Sequence, residues 1–141
     1  MRHPGYGVLN WFIRVAVDGG VITIYGDGKQ LRDYMYVEDA VSALLEIGAR
    51  SDLVGEVVNV GSGKGMPFLD FVKAVITAVG QGEYQLAPWP EDASKLDVGD
   101  FVLDTTKLNH LTGWEPTVSL ADGLERTVAF YRAYREHYWS D

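Results

Sequence analysis

A chain of 141 residues is long enough for one domain with a sizeable core, and 47% apolar against 23% charged residues excludes a disordered polymer. A formal net charge of -8 argues against nucleic acid as a partner, so an anionic ligand must be held locally by one or two placed cations. Without cysteine there is no disulfide framework, thiolate metal site or thiol nucleophile. No run approaches the ~18 apolar residues of a membrane span, and with no signal-like core the cytoplasm is the expected compartment.

Met1 to Gly7 reads as a loop. Val8, Leu9, Phe12, Ile13, Ala16 and Val17 then set a helical stripe over 8–17, ended by Asp18-Gly19-Gly20. Val21 to Tyr25 is short and β-branched, which predicts a strand. Gly26-Asp27-Gly28 supplies a sharp reversal, because glycine takes positive φ without steric cost. Beyond it Arg32 stands beside Asp33, among Leu31, Tyr34, Met35, Tyr36 and Val37. A guanidinium just after a glycine turn can grip phosphate oxygens as a fork while the glycines let a ligand approach the backbone. The competing reading is a hairpin in which Arg32 pairs with Asp33 or Glu38.

The second helix is predicted over 37–49, with Val37, Ala40, Val41, Leu44 and Leu45 inward. A loop over 51–55 leads to a strand over 56–60, whose nearly continuous apolar run suits a strand covered on both faces. Gly61-Ser-Gly-Lys-Gly65 invites a phosphate-loop reading and fails it. Val58 stands where a Walker loop needs its first glycine, and Gly65 replaces the hydroxyl residue that would hold magnesium. Met66 likewise breaks the dinucleotide fingerprint. The run reads as a turn into a helix over 68–79, with Pro67 at its start and Gly80 at its end. A short strand over 84–87 is stopped by Pro88-Trp89-Pro90, and 91–102 reads as a surface loop leading through Gly99-Asp100. Asp104 is placed to cap a helix over 105–111 that Gly113 closes, and Trp114 is expected in the core. Ser119 with Asp122 resembles a capping box opening the last helix, with Leu124, Val128 and Tyr131 inward. The tail Tyr134, His137, Tyr138 and Trp139 is aromatic enough to cover another surface.

Tyr25 and Lys29 match a Tyr-x-x-x-Lys spacing, but that pair works by stacking i and i+4 on one helix face. Gly26 and Gly28 make a turn there instead, so it is not read as catalytic. His3, His110 and His137 are scattered without a carboxylate at ligand spacing, so no metal site is expected. No serine sits in a strained elbow.

Three ordered runs carry a resemblance. They are Ile24-Tyr25-Gly26-Asp27-Gly28 with Arg32-Asp33-Tyr34 and Val37-Glu38-Asp39; Asn59-Val-Gly-Ser-Gly-Lys-Gly65; and Asp104, Lys107 and Gly113-Trp114-Glu115-Pro116. Together they resemble the C-terminal half of NAD-dependent nucleotide-sugar epimerases and dehydratases, the extended short-chain dehydrogenases typified by UDP-glucose 4-epimerase. The resemblance covers nearly the whole chain. It implies an α/β fold of helices around a small sheet, with 1–141 a single C-terminal substrate-binding region and the N-terminal cofactor domain outside the chain. It implies a UDP- or dTDP-linked sugar as ligand, with Arg32 on the diphosphate, Tyr25 on the base and the backbone of Thr23 bonded to that base. Leu9, Asn10 and Asp100 are further candidate contacts, Asn10 also reading as an ordinary exposed polar residue.

The family's reaction passes a hydride between a sugar carbon and NAD, which needs a helical Tyr-Lys pair and a glycine-rich loop. Both are implied upstream, so no catalytic residue and no bound NAD are expected in this chain alone, which should be inactive by itself. The implied reaction of the full enzyme is 4-epimerisation, dehydration remaining open. The alternative is a non-catalytic nucleotide-sugar-binding or protein-interaction module of the same descent. One departure stands out: UDP-glucose-type epimerases often carry an arginine three residues before the position of Asp100, where this chain has Asp97, with Lys95 two residues earlier. Helix 37–49 and strand 56–60 are expected to lean on the cofactor domain. Uncovered, they would expose apolar surface and favour a homo-oligomer.

Overall fold

Residues 7–90 and 98–139 are described by a computed structural model. In chain order the elements are α1 (Val8–Val17), β1 (Val21–Tyr25), β2 (Leu31–Asp33), α2 (Val37–Gly48), a 3-10 turn (Ser51–Leu53), β3 (Gly65–Pro67), α3 (Phe68–Val79), β4 (Glu83–Ala87), α4 (Thr106–Thr112), α5 (Leu120–Ala133) and α6 (Arg135–Tyr138). They fall into two compact units, one of Met1–Lys29, Pro67–Asp97 and Leu124–Asp141, the other of Gln30–Met66 and Val98–Gly123.

The first unit is organised on β1 and β4, which pair in parallel from Val21 opposite Glu83 to Tyr25 opposite Ala87. A parallel pair needs a long connection, and here it includes α3. Burial alternates along β1 with the strand period: Ile22 and Ile24 are sealed while Val21 and Tyr25 face out. The stripe on α1 buries Phe12, Ile13, Ala16 and Val17, and that on α3 buries Phe71, Val72, Val75 and Val79. Phe12 and Phe68 meet edge-to-face at 5.6 Å between centroids. Gly28 carries two demands at once. Its φ is 67°, its carbonyl accepts the Leu69 amide at 2.9 Å, and a Cβ there would stand 2.8 Å from the Leu69 Cβ. Leu124, Val128 and Trp139 complete the buried set, and Arg132 donates to the Val79 carbonyl at the C-terminal end of α3 at 2.6 Å.

In the second unit β2 pairs with β3, and Arg32 bridges to Phe101 in parallel. Asp39, in the first turn of α2, is only 4% exposed. Its carboxylate accepts the amides of Thr117 and Val118 and the Thr117 hydroxyl, each at 3.0 Å. Such charge-assisted bonds are the means by which a carboxylate tolerates burial. Asp104 accepts the Thr106 amide at 2.9 Å, and α4 ends on Gly113 at φ 74°. Ser119 and Asp122 form the expected reciprocal cap of α5: the Asp122 amide donates to the Ser119 hydroxyl oxygen at 3.1 Å, and that hydroxyl donates to the Asp122 carboxylate at 2.8 Å.

Four expectations are corrected. No strand forms over 56–60: a strand needs a ladder partner, and among the described residues none borders it. That segment is tied by side chains instead, Lys107 Nζ reaching Glu56 Oε2 at 2.7 Å and the Val57 carbonyl at 2.8 Å. The α2 stripe faces outward, with Val37 63%, Val41 49%, Leu44 63% and Leu45 70% exposed, because the Asp39 bonds turn Asp39 and Ala43, four residues apart, inward. Trp114 is half-buried rather than in the core, its indole N–H donating to Ser42 Oγ at 2.9 Å. The helix expected over 105–111 runs from Thr106 to Thr112, with Thr105 at its N-cap. Among the described residues no helix is long and apolar enough to cross a membrane.

Candidate functional site

In the first unit the site residues sit on β1 and at the start of α1. The Gly20 carbonyl accepts from Glu83 N, and the Gly26 amide donates to Ala87 O. In a parallel ladder this parity alternates, so Ile22 and Ile24 bond to β4 while Val21, Thr23 and Tyr25 turn their N–H and C=O groups to the opposite edge. No described strand pairs with that edge. The Thr23 hydroxyl accepts from the Gln85 side-chain amide at 3.1 Å. Tyr25 is 41% exposed, and its ring lies 5.7 Å from that of Trp89, tilted by 35°. Leu9 is half-buried and Asn10 exposed in the first turn of α1, where the Asn10 amide donates to the Gly7 carbonyl at 3.0 Å.

Tyr25 ends β1 and Lys29 lies in the turn after it, so the two share no helix. Asp27 accepts the Lys29 amide at 3.0 Å and pairs with its ammonium at 3.1 Å, so Lys29 closes the turn on Asp27. Those two hydrogen bonds hold the Asp27 carboxyl below its ordinary range.

In the second unit Arg32 and Asp100 stand together. Arg32 Nη1 donates to the carbonyls of Leu31, at 2.9 Å, and Gly99. Asp100 Oδ1 accepts the Leu31 amide at 2.8 Å, and the Leu31 carbonyl accepts Phe101 N at 2.9 Å. Asp33 serves another purpose. Its carboxylate accepts the amides of Ser62 at 2.8 Å, Gly63 at 2.9 Å and Leu103 at 3.3 Å, together with the Ser62 hydroxyl. The amides of the 61–65 loop therefore do cradle an anion, and that anion is the protein's own carboxylate. This agrees with reading the loop as a turn rather than a phosphate site. A cavity of about 430 Å³ lies in the same unit beside Tyr34, Met35, Lys64 and Pro116. Burial pushes the Tyr34 phenol above its ordinary range, against the opposing charge of Arg32.

Sequence reasoning named Thr23, Tyr25, Arg32 and Asp100 as candidates; it did not single out Trp89, whose ring lies beside Tyr25, or the anchoring carboxylate of Asp39. β4 is exposed from Glu83 to Leu86, so no alternation along it pointed to Trp89. Lys95 and Asp97 lie outside the described residues, as does most of the loop expected over 91–102. Among the described residues no group of three His, Cys, Asp or Glu could hold a metal.

The NAD dependent epimerase/dehydratase family model matches residues 2–61. A low-salt glycan biosynthesis protein, Agl12 of Haloferax volcanii, is 39% identical over 130 residues, covering 92% of this chain and 40% of that protein. Among solved structures, an epimerase from Methanothermobacter thermautotrophicus superposes with a TM-score of 0.83 at 28% identity, over 93% of this chain and 38% of that one. The UDP-glucose 4-epimerase of Thermotoga maritima, solved with UDP-glucose, gives a TM-score of 0.72 at 34% identity, over 92% of this chain and 40% of that one. The chain thus spans about 40% of the length of the curated relatives it matches. These matches bear out both the resemblance read from the three sequence runs and the α/β architecture.

Proposed function

We propose, from the premise that this chain is a segment of the NAD dependent epimerase/dehydratase family, that it is the nucleotide-sugar-binding portion of such an enzyme, with 4-epimerisation as the reaction. The ligand is a UDP- or dTDP-linked sugar. Arg32 holds the diphosphate, Tyr25 lies on the base, the Thr23 main chain reads the base edge, and Leu9, Asn10 and Asp100 make the remaining contacts. One observation supports this reading: Arg32 Nη1 is held by the main-chain carbonyls of Leu31 and Gly99, which positions a fork-shaped cation just after the glycine turn of an acidic chain.

The described residues do not fit NAD. The glycine-rich loop over 61–65 gives its amides to Asp33, and Lys29 closes the Gly26-Asp27-Gly28 turn rather than stacking on a helical tyrosine. We assign the cofactor site and the Tyr-Lys pair to a separate N-terminal region, against which the exposed Val37, Val41, Leu44 and Leu45 of α2 and the exposed Val57 would pack. This chain binds and orients the sugar nucleotide, and the hydride chemistry belongs to the cofactor when bound there.

The test is product analysis on protein expressed from the full reading frame, supplied with NAD and either UDP-glucose or dTDP-glucose. The 4-epimer of UDP-glucose is expected. A dehydrated keto-sugar would move the assignment to a dehydratase, and nucleotide binding without turnover would favour the non-catalytic module. Binding of neither UDP nor dTDP would overturn the reading. For residues 1–141 alone, calorimetric titration with NAD should give no heat of binding, and a micromolar constant would contradict the placement of the cofactor site.

A further inference from the structure

We propose that Trp89 is a base-binding residue, forming with Tyr25 a two-ring platform for the nucleobase of the sugar nucleotide; this rests on the nucleotide-sugar reading above and extends it to a residue outside the matched motifs. The parallel register sets Tyr25 opposite Ala87, the last residue of β4 and two residues before Trp89. The two rings meet there at 5.7 Å and 35°. Tyr25 is 41% exposed and Trp89 half-buried, so the pair presents aromatic surface without being consumed by the core.

The indole is held in place. Gly26 has φ 79°, and a Cβ on it would stand 2.5 Å from Trp89 Nε1, so the indole lies directly against bare backbone at the end of β1. A large ring fixed before the ligand arrives contributes stacking at little ordering cost. The platform also has a polar neighbour suited to a base. Gln85 donates to the Thr23 hydroxyl at 3.1 Å, and the Thr23 main chain opens to the unpaired edge of β1. Stacking surface beside main-chain and amide groups is what a nucleobase, with a π-face and a hydrogen-bonding edge, can use and a bare sugar phosphate cannot.

The experiment compares UDP and inorganic pyrophosphate as probes, by calorimetry on protein from the full reading frame. Trp89→Ala should weaken UDP roughly fivefold to a hundredfold, the range of one lost base stack, and leave pyrophosphate affinity unchanged. Trp89→Phe should recover most of the loss, because a phenyl ring keeps a stacking face. Arg32→Ala should weaken both probes. If Trp89→Ala weakens UDP and pyrophosphate alike, Trp89 is only a structural support. If it leaves UDP unchanged while Arg32→Ala weakens it, the platform is wrong and the nucleotide-sugar reading stands. If the unmodified protein binds neither UDP nor dTDP, both fall.

Discussion

Replacing Asp33 with alanine removes one acceptor from three amides at once. Ser62 N at 2.8 Å and Gly63 N at 2.9 Å are well-formed bonds to the carboxylate, Leu103 N at 3.3 Å is a long one, and the Ser62 hydroxyl adds a fourth. A hydrogen bond to a charged group contributes about 1.5–3 kcal/mol, but Gly63 is exposed and its amide can rehydrate, so the full sum is not lost. Two bonds at the lower end give about 3 kcal/mol for Asp33→Ala. Asp33→Asn keeps one oxygen but turns an N–H donor toward a second donor, and should cost about half as much. Urea unfolding reads both as shifts in midpoint at unchanged slope. A double-mutant cycle separates the partners: Asp33 with Ser62 should couple by about 1 kcal/mol, and more strongly than Asp33 with Arg32. An Asp33→Ala shift under about 0.5 kcal/mol, or the stronger coupling to Arg32, would refute the anchoring role and restore the hairpin ion pair.

Tyr34 should shape the alkaline limit. Burial raises its folded-state pKa, so the folded protein holds that proton more tightly, and the stabilisation is complete below about pH 10 and lost as pH rises beyond it. Tyr34→Phe should therefore flatten the fall in stability above about pH 10, and an unaltered alkaline limb counts against it. Gly28→Ala should destabilise by about 2 kcal/mol or more through its positive φ and the Leu69 clash, read by thermal unfolding; a neutral change would mean that the turn reshapes freely. The exposed α2 face should make residues 1–141 self-associate or bind an apolar dye. Leu44→Glu with Leu45→Lys should suppress that in light scattering, whereas a dye-silent monomer before substitution contradicts the proposed covering region.

The ends of α1 and α3, and the whole of β1, were legible because their periods run between glycine stops: Gly19-Gly20 after α1 and β1's reversal at Gly26, then Gly80 at φ 78°. The inward face of α2 was not legible. Apolar side chains dominate its stripe, while the choice of face follows from a carboxylate at Asp39 bonded to residues 78 and 79 positions away, which leaves no local period. The same holds for Asp33, whose donors lie 29, 30 and 70 positions on. Of the candidate site, Arg32 and Tyr25 were named from the glycine turn between them. Trp89 was not singled out, because Pro88-Trp89-Pro90 reads as a stop until the ring contact with Tyr25 is seen.

The most direct measurement is UDP-glucose affinity for Arg32→Ala and Arg32→Lys in protein from the full reading frame, with far-ultraviolet circular dichroism to confirm the fold. A charge-assisted phosphate contact of about 1.5–3 kcal/mol predicts a loss of roughly tenfold to a hundredfold for Arg32→Ala. Arg32→Lys should recover only part of it, since an ammonium cannot form the two-pronged contact. Unchanged affinity in a folded Arg32→Ala protein would contradict the account and leave Arg32 as a structural tie to the Leu31 and Gly99 carbonyls.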